Sequence, residues 1–188
     1  RALAHDMARG GQAGMWLLSE GHGLGRVDAD ARLAYFPPPE GVPLRASFPH
    51  MAVDARDRIW VGTLDGLVMR DADGAWHRFG AGEGLPPGLV WPYLAPDGTV
   101  WLAAEGQLFR VDGDRIVAAH ALAGSGHITT LLADRHGALW VGTENRGVAR
   151  IGPRGTEWLA PGAVLPRGRV ASLLEDAEGS IWIGANGG

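Results

Sequence analysis

The 188-residue chain contains no cysteine, which removes disulfides, thiolate nucleophiles and thiolate metal sites together and suits an oxidising or a reducing compartment equally. It contains no lysine either; all 17 basic residues are arginine, a bias of genomic composition without mechanistic content. They are scattered among 21 acidic residues for a net charge of −4, with no basic run, so the positive stripe of a duplex binder is missing and nucleic acid is not expected as a partner. No window approaches the roughly 18 uninterrupted apolar residues of a membrane span, and the first residues lack the apolar core of a secretory signal, so no membrane contact is expected of this segment itself. Helix-period patterning is nearly absent. With it go the strand-to-helix settings of a Gly-x-Ser-x-Gly elbow, a phosphate-cradling loop or a dinucleotide fingerprint, and no catalytic residue is assigned. The seven histidines show no ligand spacing such as His-Glu-x-x-His, so no metal and no other cofactor is expected.

What the chain does contain is repetition. Trp16, Trp60, Trp101, Trp140 and Trp182 are separated by 44, 41, 39 and 42 positions. Four of them sit in one setting: Ile59-Trp60-Val61-Gly62-Thr63, Val100-Trp101-Leu102-Ala103-Ala104, Leu139-Trp140-Val141-Gly142-Thr143 and Ile181-Trp182-Ile183-Gly184-Ala185. Each reads as a short strand. Before each lies an apolar-rich segment ending in a turn marked by Asp54 and Asp57, Asp97-Gly98, Asp134 and Gly137, or Asp176 and Gly179, where aspartate bonds its own backbone and glycine relieves left-handed strain. After each of the first four Trp strands, a glycine-containing turn leads to a segment closed by Arg26, Arg70, Arg110 or Arg150, and a weaker fourth segment follows as Leu33 to Phe36, Trp76 to Phe79, Ile116 to Ala118 or Trp158-Leu159. With 30 glycines, 12 prolines and 46% hydrophobic residues, the chain is turn-dense yet rich enough in apolar residues to build a core.

Four short antiparallel strands per unit of roughly 40 to 45 residues is the pattern of a propeller blade. The expected fold is therefore all-β: a single partial β-propeller over 1–188, with four full four-stranded antiparallel blades at about 1–46, 47–87, 88–126 and 127–168 and half of a fifth at 169–188. The chain begins at Arg1 and breaks off just after its fifth Trp strand, so it is expected to be cut from a longer protein whose neighbouring blades are its first partners. The five tryptophans are expected to be structural, each indole filling the wedge between successive sheets. The recurring arginines are expected to serve the scaffold, capping a neighbouring backbone or pairing with an acid.

In a four-strand meander, the turns after strands two and four emerge at one end of the blade. That end collects Glu20 and His22, Asp65, Glu105, and Glu144 with Asn145, together with His50, His127 and the linker Gly84 to Pro87; Trp91 adds an apolar platform. These residues are the candidate ligand site, a ring of carboxylates able to accept hydrogen bonds from sugar hydroxyls or to hold a cation. The alternative is plain turn chemistry, which places acids and asparagine in exposed loops without any ligand.

The order of hydrophobic strand, Asp-x-x-Gly turn, Ile/Leu-Trp-Val/Ile-Gly-Thr and Gly-Leu-x-Arg resembles the two-component regulator propeller repeat. Its fullest copy runs from Ile128 to Arg150, and Gly82-Glu83-Gly84-Leu85-Pro86-Pro87 resembles that family's inter-blade linker. The first unit departs from the pattern, with neither the aspartate nor the usual turn before Trp16, and the third has Ala103-Ala104 in place of Gly-Thr. The resemblance implies an arc of a seven-bladed propeller, often one of two in tandem, forming the periplasmic input region of a membrane-anchored, dimeric regulator. Its output module would be a histidine kinase, commonly hybrid, or a diguanylate cyclase. It further implies a non-catalytic sensor whose ligand is an oligosaccharide or another small molecule. Two alternatives stand beside it. One is a streptogramin lyase-like enzyme, whose repeats resemble Ala95-Pro96-Asp97-Gly98-Thr99-Val100-Trp101 and which would use His and Glu on the propeller face with a divalent metal. The other is a protein-interaction scaffold without a small ligand.

Overall fold

The computed structural model describes residues 4–9, 14–19, 23–38, 44, 50–160, 162, 165 and 168–186. Four sheets are four-stranded: β1 (Ala4–Arg9), β2 (Gly14–Ser19), β3 (Gly23–Asp28) and β4 (Leu33–Phe36); β5 (His50–Val53), β6 (Ile59–Thr63), β7 (Gly66–Arg70) and β8 (Trp76–Phe79); β9 (Trp91–Leu94), β10 (Val100–Ala104), β11 (Gln107–Asp112) and β12 (Arg115–Ala121); β13 (Ile128–Ala133), β14 (Leu139–Thr143), β15 (Val148–Gly152) and β16 (Gly155–Leu159). A fifth sheet pairs β17 (Val170–Glu175) with β18 (Ile181–Ala185). Within each sheet the strands lie in chain order, with neighbours such as β2 and β3, β6 and β7, β14 and β15, and β17 and β18 pairing antiparallel. The one helical element among the described residues is a 3-10 turn, Ala81–Glu83, closed by Gly84 at φ 84°, which delivers Leu85 of the Gly-Leu-Pro linker into the core. No helix among the described residues is long and apolar enough to cross a membrane.

The chain forms two compact units. The first comprises Arg1–Leu94, Gly98–Ala104 and Phe109–Ala118; the second comprises Ala95–Asp97, Glu105–Leu108 and Ala119–Gly188. In the first unit, alternation along β6 builds two layers of core. Ile59 and Val61 turn towards Trp16, Leu18 and Leu24 of the first sheet, while Trp60 turns the other way, against Leu85, Val90, Val100, Leu102 and Phe109. Trp16 and Trp60 are thus buried between sheets, Trp60 completely. An indole of this kind removes about 150 to 250 Å² from water, a gross gain of about 4 to 6 kcal/mol before entropy is deducted.

The other indoles are not all equivalent. Trp101 and Trp140 are partly exposed, and Trp182, on the two-stranded sheet, is 63% exposed beside its cross-strand partner Leu174. Full or nearly full burial is thus seen at Trp16 and Trp60, and not at Trp101, Trp140 or Trp182. At Trp182 no arginine lies over the ring among the described residues, whereas Arg26 lies over Trp16 and Arg150 over Trp140, 5.5 and 5.6 Å from the ring centres. Arg26 and Arg150 each stand opposite their tryptophan on the adjoining strand, so the recurring arginine of strand three works largely as a cation–π partner. Arg70 reaches Trp16 and Phe36 of the preceding sheet.

Glycine in the Trp-Val-Gly-Thr motif answers a close approach of neighbouring atoms, backbone at Gly62 and side chain at Gly142. A Cβ on Gly62 would collide with the carbonyl oxygen of Val90, and one on Gly142 would lie 2.7 Å from Cγ1 of Val170. The threonine that follows shapes the next turn. Thr63 Oγ1 donates to the carbonyl of Gly66 and accepts from the N–H of Asp65, while Thr143 Oγ1 donates to Gly147 and accepts from Arg146.

Two hairpin turns are fastened to a neighbouring sheet by arginine. Arg58 donates from Nε to Asp54 and from Nη1 to the carbonyl of Gly113 and to Asp114. Arg135 donates to Glu175 and to the carbonyls of Asp176 and Ala177.

Candidate functional site

Three acids singled out from the sequence, Asp65, Glu105 and Glu144, sit on turns between the second and third strands of their sheets, and each turn has its own local logic. Asp65 occupies a two-residue turn between β6 and β7. Glu105 and Gly106 form the turn between β10 and β11, with φ of 45° and 69°, the doubly left-handed conformation of a type I′ hairpin. Glu144 and Asn145 begin the longer turn into β15. Glu20 and His22 lie outside the described residues.

In the first unit, Asp65 is exposed and Trp91 is partly buried at the start of β9. Trp91 is not an open platform: the imidazole of His50, at the start of β5, stacks on it with ring centres 3.6 Å apart and planes 13° from parallel. Burial pushes the pKa of His50 down to about 4, so its ring is neutral in this stack at neutral pH.

In the second unit, Glu105 and Glu144 share an open cleft of about 520 Å³ with Gln107, Ser125 and His127. The wall formed by residues 122–127 is held on both sides. Leu122 N–H donates to the carbonyl of Gly106, Asn145 N–H to that of Ser125, and Glu144 N–H to that of His127. His127 N–H donates in return to Glu144 Oε2 at 3.4 Å, and Arg146 Nη1 donates to the carbonyl of Ala123 at 2.8 Å. Asn145 therefore braces the wall without lining the cleft. Inside, His127 Nδ1 stands 4.0 Å from Glu105 Oε1, too far for a direct hydrogen bond and close enough for one bridging group. Gln107 and Ser125 had no sequence signal marking them for this site; His127 was legible as a linker residue on the same face. Among the described residues, no three His, Asp or Glu side chains are grouped to hold a metal ion.

On the opposite turns, aspartates read from the sequence as turn formers carry a second task. Oδ1 of Asp54 accepts the N–H groups of Arg56 and Arg58, Oδ1 of Asp134 those of His136 and Ala138, and Oδ1 of Asp176 that of Ser180. The other oxygen takes the indole N–H of the blade tryptophan six residues on: Trp60 at 3.0 Å, Trp140 at 2.8 Å and Trp182 at 2.7 Å. Burial works to raise the pKa of Asp54 and of Asp134, but the indole and backbone donors outweigh it, with Arg58 added at Asp54 and the charge of Arg150 at Asp134, and both are held below the usual carboxylate range. Asp176 is lowered first by Trp182 and then by Ser180 N–H. The same spacing before Trp16 and Trp101 falls on Gly10 and Ala95, so those two units carry no aspartate at that position.

The sequence profile of the two component regulator propeller matches residues 123–145 and 164–187. No curated protein sequence matches the chain. Among solved structures, the chain is similar to the extracellular domain of a protein assigned as a hybrid two component system of B. thetaiotaomicron, with 18% identity and a TM-score of 0.79 over 98% of this chain and 27% of that one. It is also similar to the extracellular domain of a one component system of the same organism, with 21% identity and a TM-score of 0.74 over 95% of this chain and 26% of the other. A third similarity is to virginiamycin B lyase from Staphylococcus aureus, with 14% identity and a TM-score of 0.72 over 97% of this chain and 66% of the lyase. The chain thus spans about a quarter of the length of the two signalling domains it matches. At these identities the likeness establishes the fold, a β-propeller. Taken with the matched repeats, it describes the chain as a β-propeller segment that carries two copies of the two component regulator propeller repeat.

Proposed function

We propose that this chain is the signal-input propeller of a membrane-anchored bacterial two-component or cyclic-di-GMP signalling protein, that it lies in the periplasm, and that it binds an oligosaccharide without turning it over. The observation that carries this reading is the repeat match at 123–145 and 164–187, within a chain whose fold follows extracellular domains of signalling proteins over 95% or more of its length. The matched repeat includes the wall of the cleft from Ala123 to His127 and also Glu144, so the family signature and the candidate ligand groups fall on the same turns. In the parent protein the propeller abuts further blades or a second propeller and works as a dimer; its output module is a histidine kinase or a diguanylate cyclase.

The test is a transcriptional or cyclic-di-GMP reporter driven by the parent protein, read during growth on a panel of glycans. A response to one glycan class that disappears when residues 127–168 are replaced by the equivalent stretch of an unrelated propeller is the expected result. A response that survives the exchange removes the sensor role from this segment.

A lyase reading is favoured by one observation, the 4.0 Å approach of His127 to Glu105 in a fold shared with virginiamycin B lyase. Incubation with virginiamycin B and a divalent metal separates the two readings, since a binding propeller leaves the antibiotic intact.

A further inference from the structure

We infer that the cleft of the second unit accepts an uncharged, hydroxyl-rich sugar, one hydroxyl of which bridges Glu105 and His127, and that it rejects sugars bearing carboxylate or sulfate. This rests on the oligosaccharide reading above and narrows it to one class.

The inference follows from which groups face the cleft. Glu105 accepts hydrogen bonds only, Gln107 donates and accepts, and the His127 ring has one donor and one acceptor nitrogen when neutral. A sugar hydroxyl also donates and accepts, so a single oxygen between Glu105 Oε1 and His127 Nδ1 can give its proton to the first and accept from the second across the 4.0 Å gap. An ammonium group, which only donates, satisfies the carboxylate but meets His127 only in the tautomer whose Nδ1 is bare.

The exclusion of anions follows from charge. The cleft holds the carboxylates of Glu105 and Glu144, and no arginine lines it. The nearby guanidinium of Arg146 is committed elsewhere, donating to the carbonyl of Ala123 and lying 4.1 Å from the centre of the Trp158 ring. An acidic sugar would meet two like charges without a counter-charge, a penalty of about tenfold or more in affinity at contact distance. The wall itself supplies no arginine, since residues 122–127 read Leu-Ala-Gly-Ser-Gly-His and are bonded to both flanking turns.

The experiment is isothermal titration of the chain with three sets of oligosaccharides of matched length: neutral gluco- and manno-oligosaccharides, oligogalacturonates, and sulfated disaccharides. A neutral sugar is expected to bind while the acidic sets do not. Glu105→Gln and, separately, His127→Ala are expected to weaken the neutral sugar by about tenfold or more with thermal unfolding unchanged, as the loss of a hydrogen bond to a charged group predicts. Acidic sugars binding as tightly as neutral ones would overturn this inference and leave the oligosaccharide reading standing. Neutral binding untouched by either substitution would overturn the placement in this cleft. If no member of any set binds, the oligosaccharide reading falls as well.

Discussion

At the scale of single residues, the pairing of aspartate and tryptophan explains most of the repeat. An indole buried between sheets has one polar atom, and an unpaired N–H there costs about 1 to 3 kcal/mol. In the second sheet Asp54 removes that cost while also ordering its own hairpin turn. Truncating Trp60, fully buried in the larger core cluster of the first unit, is expected to destabilise the chain by about 3 to 5 kcal/mol in a denaturant titration. Trp182→Ala, at 63% exposure, is expected to cost less than about 1 kcal/mol in the same measurement. Asp54→Ala leaves both the Trp60 N–H and the Arg58 guanidinium without their shared acceptor, and about 2 to 4 kcal/mol of lost stability is expected. A loss under 1 kcal/mol would mean that water replaces the carboxylate. The interval of six residues recurs at Asp54 and Trp60, Asp134 and Trp140, and Asp176 and Trp182, so the contact had a sequence signal. It was hidden because the same aspartates account for themselves as turn residues, and a turn reading leaves their second oxygen unexamined.

At the scale of elements, the strands were legible because two independent signals coincided: apolar stretches of strand length, and turn residues at a fixed distance from each tryptophan. The limits of β6, β10, β14 and β18 coincide with the four five-residue Trp motifs. What could not be read was the reason for glycine or alanine inside those motifs, since that depends on how near the next strand passes. Gly62 faces the Val90 carbonyl, so Gly62→Ala is expected to lose about 1 to 3 kcal/mol through overpacking, although the third unit carries alanine at the matching position, Ala103. The turns offer the opposite case. Glu105 holds a left-handed backbone that asparagine adopts more readily, and Asn-Gly is the preferred pair for this hairpin. Glu105→Asn is therefore expected to stabilise the chain by about 0.5 to 1 kcal/mol, and a destabilised variant would show that the glutamate side chain supports the turn. The cleft itself was only half legible. The meander rule placed Glu105 and Glu144 at one end of their sheets, but the bonds that draw residues 122–127 between them come from backbone carbonyls, which leave no mark in the sequence.

At the scale of the whole molecule, the shifted groups act together on stability, and they act in one direction. His50 has an ordinary pKa of 6.5 in the unfolded chain and about 4 in the stack on Trp91, so between those values the unfolded chain binds a proton that the folded one refuses. Stability therefore rises with pH through that window and is lost as the solution is acidified below 6.5. Asp54 and Asp134 are lowered from 3.8, so they stabilise the folded chain above that value and lose the contribution as pH falls through their depressed folded-state values. The two effects adjoin. The expected curve of thermal midpoint against pH is flat above 7, declines from 6.5 to 4 as His50 resists protonation, and falls further below 4 as the carboxylates that hold Trp60 and Trp140 are titrated. The upper limb belongs to one residue in one place, whereas the lower belongs to a repeated device, and substitution separates them. His50→Phe keeps an aromatic ring for the Trp91 stack and has no proton to refuse, so it should flatten the curve between pH 6.5 and 4 while leaving the fall below 4 in place. An unchanged slope in that variant would show that His50 is not the group titrating there.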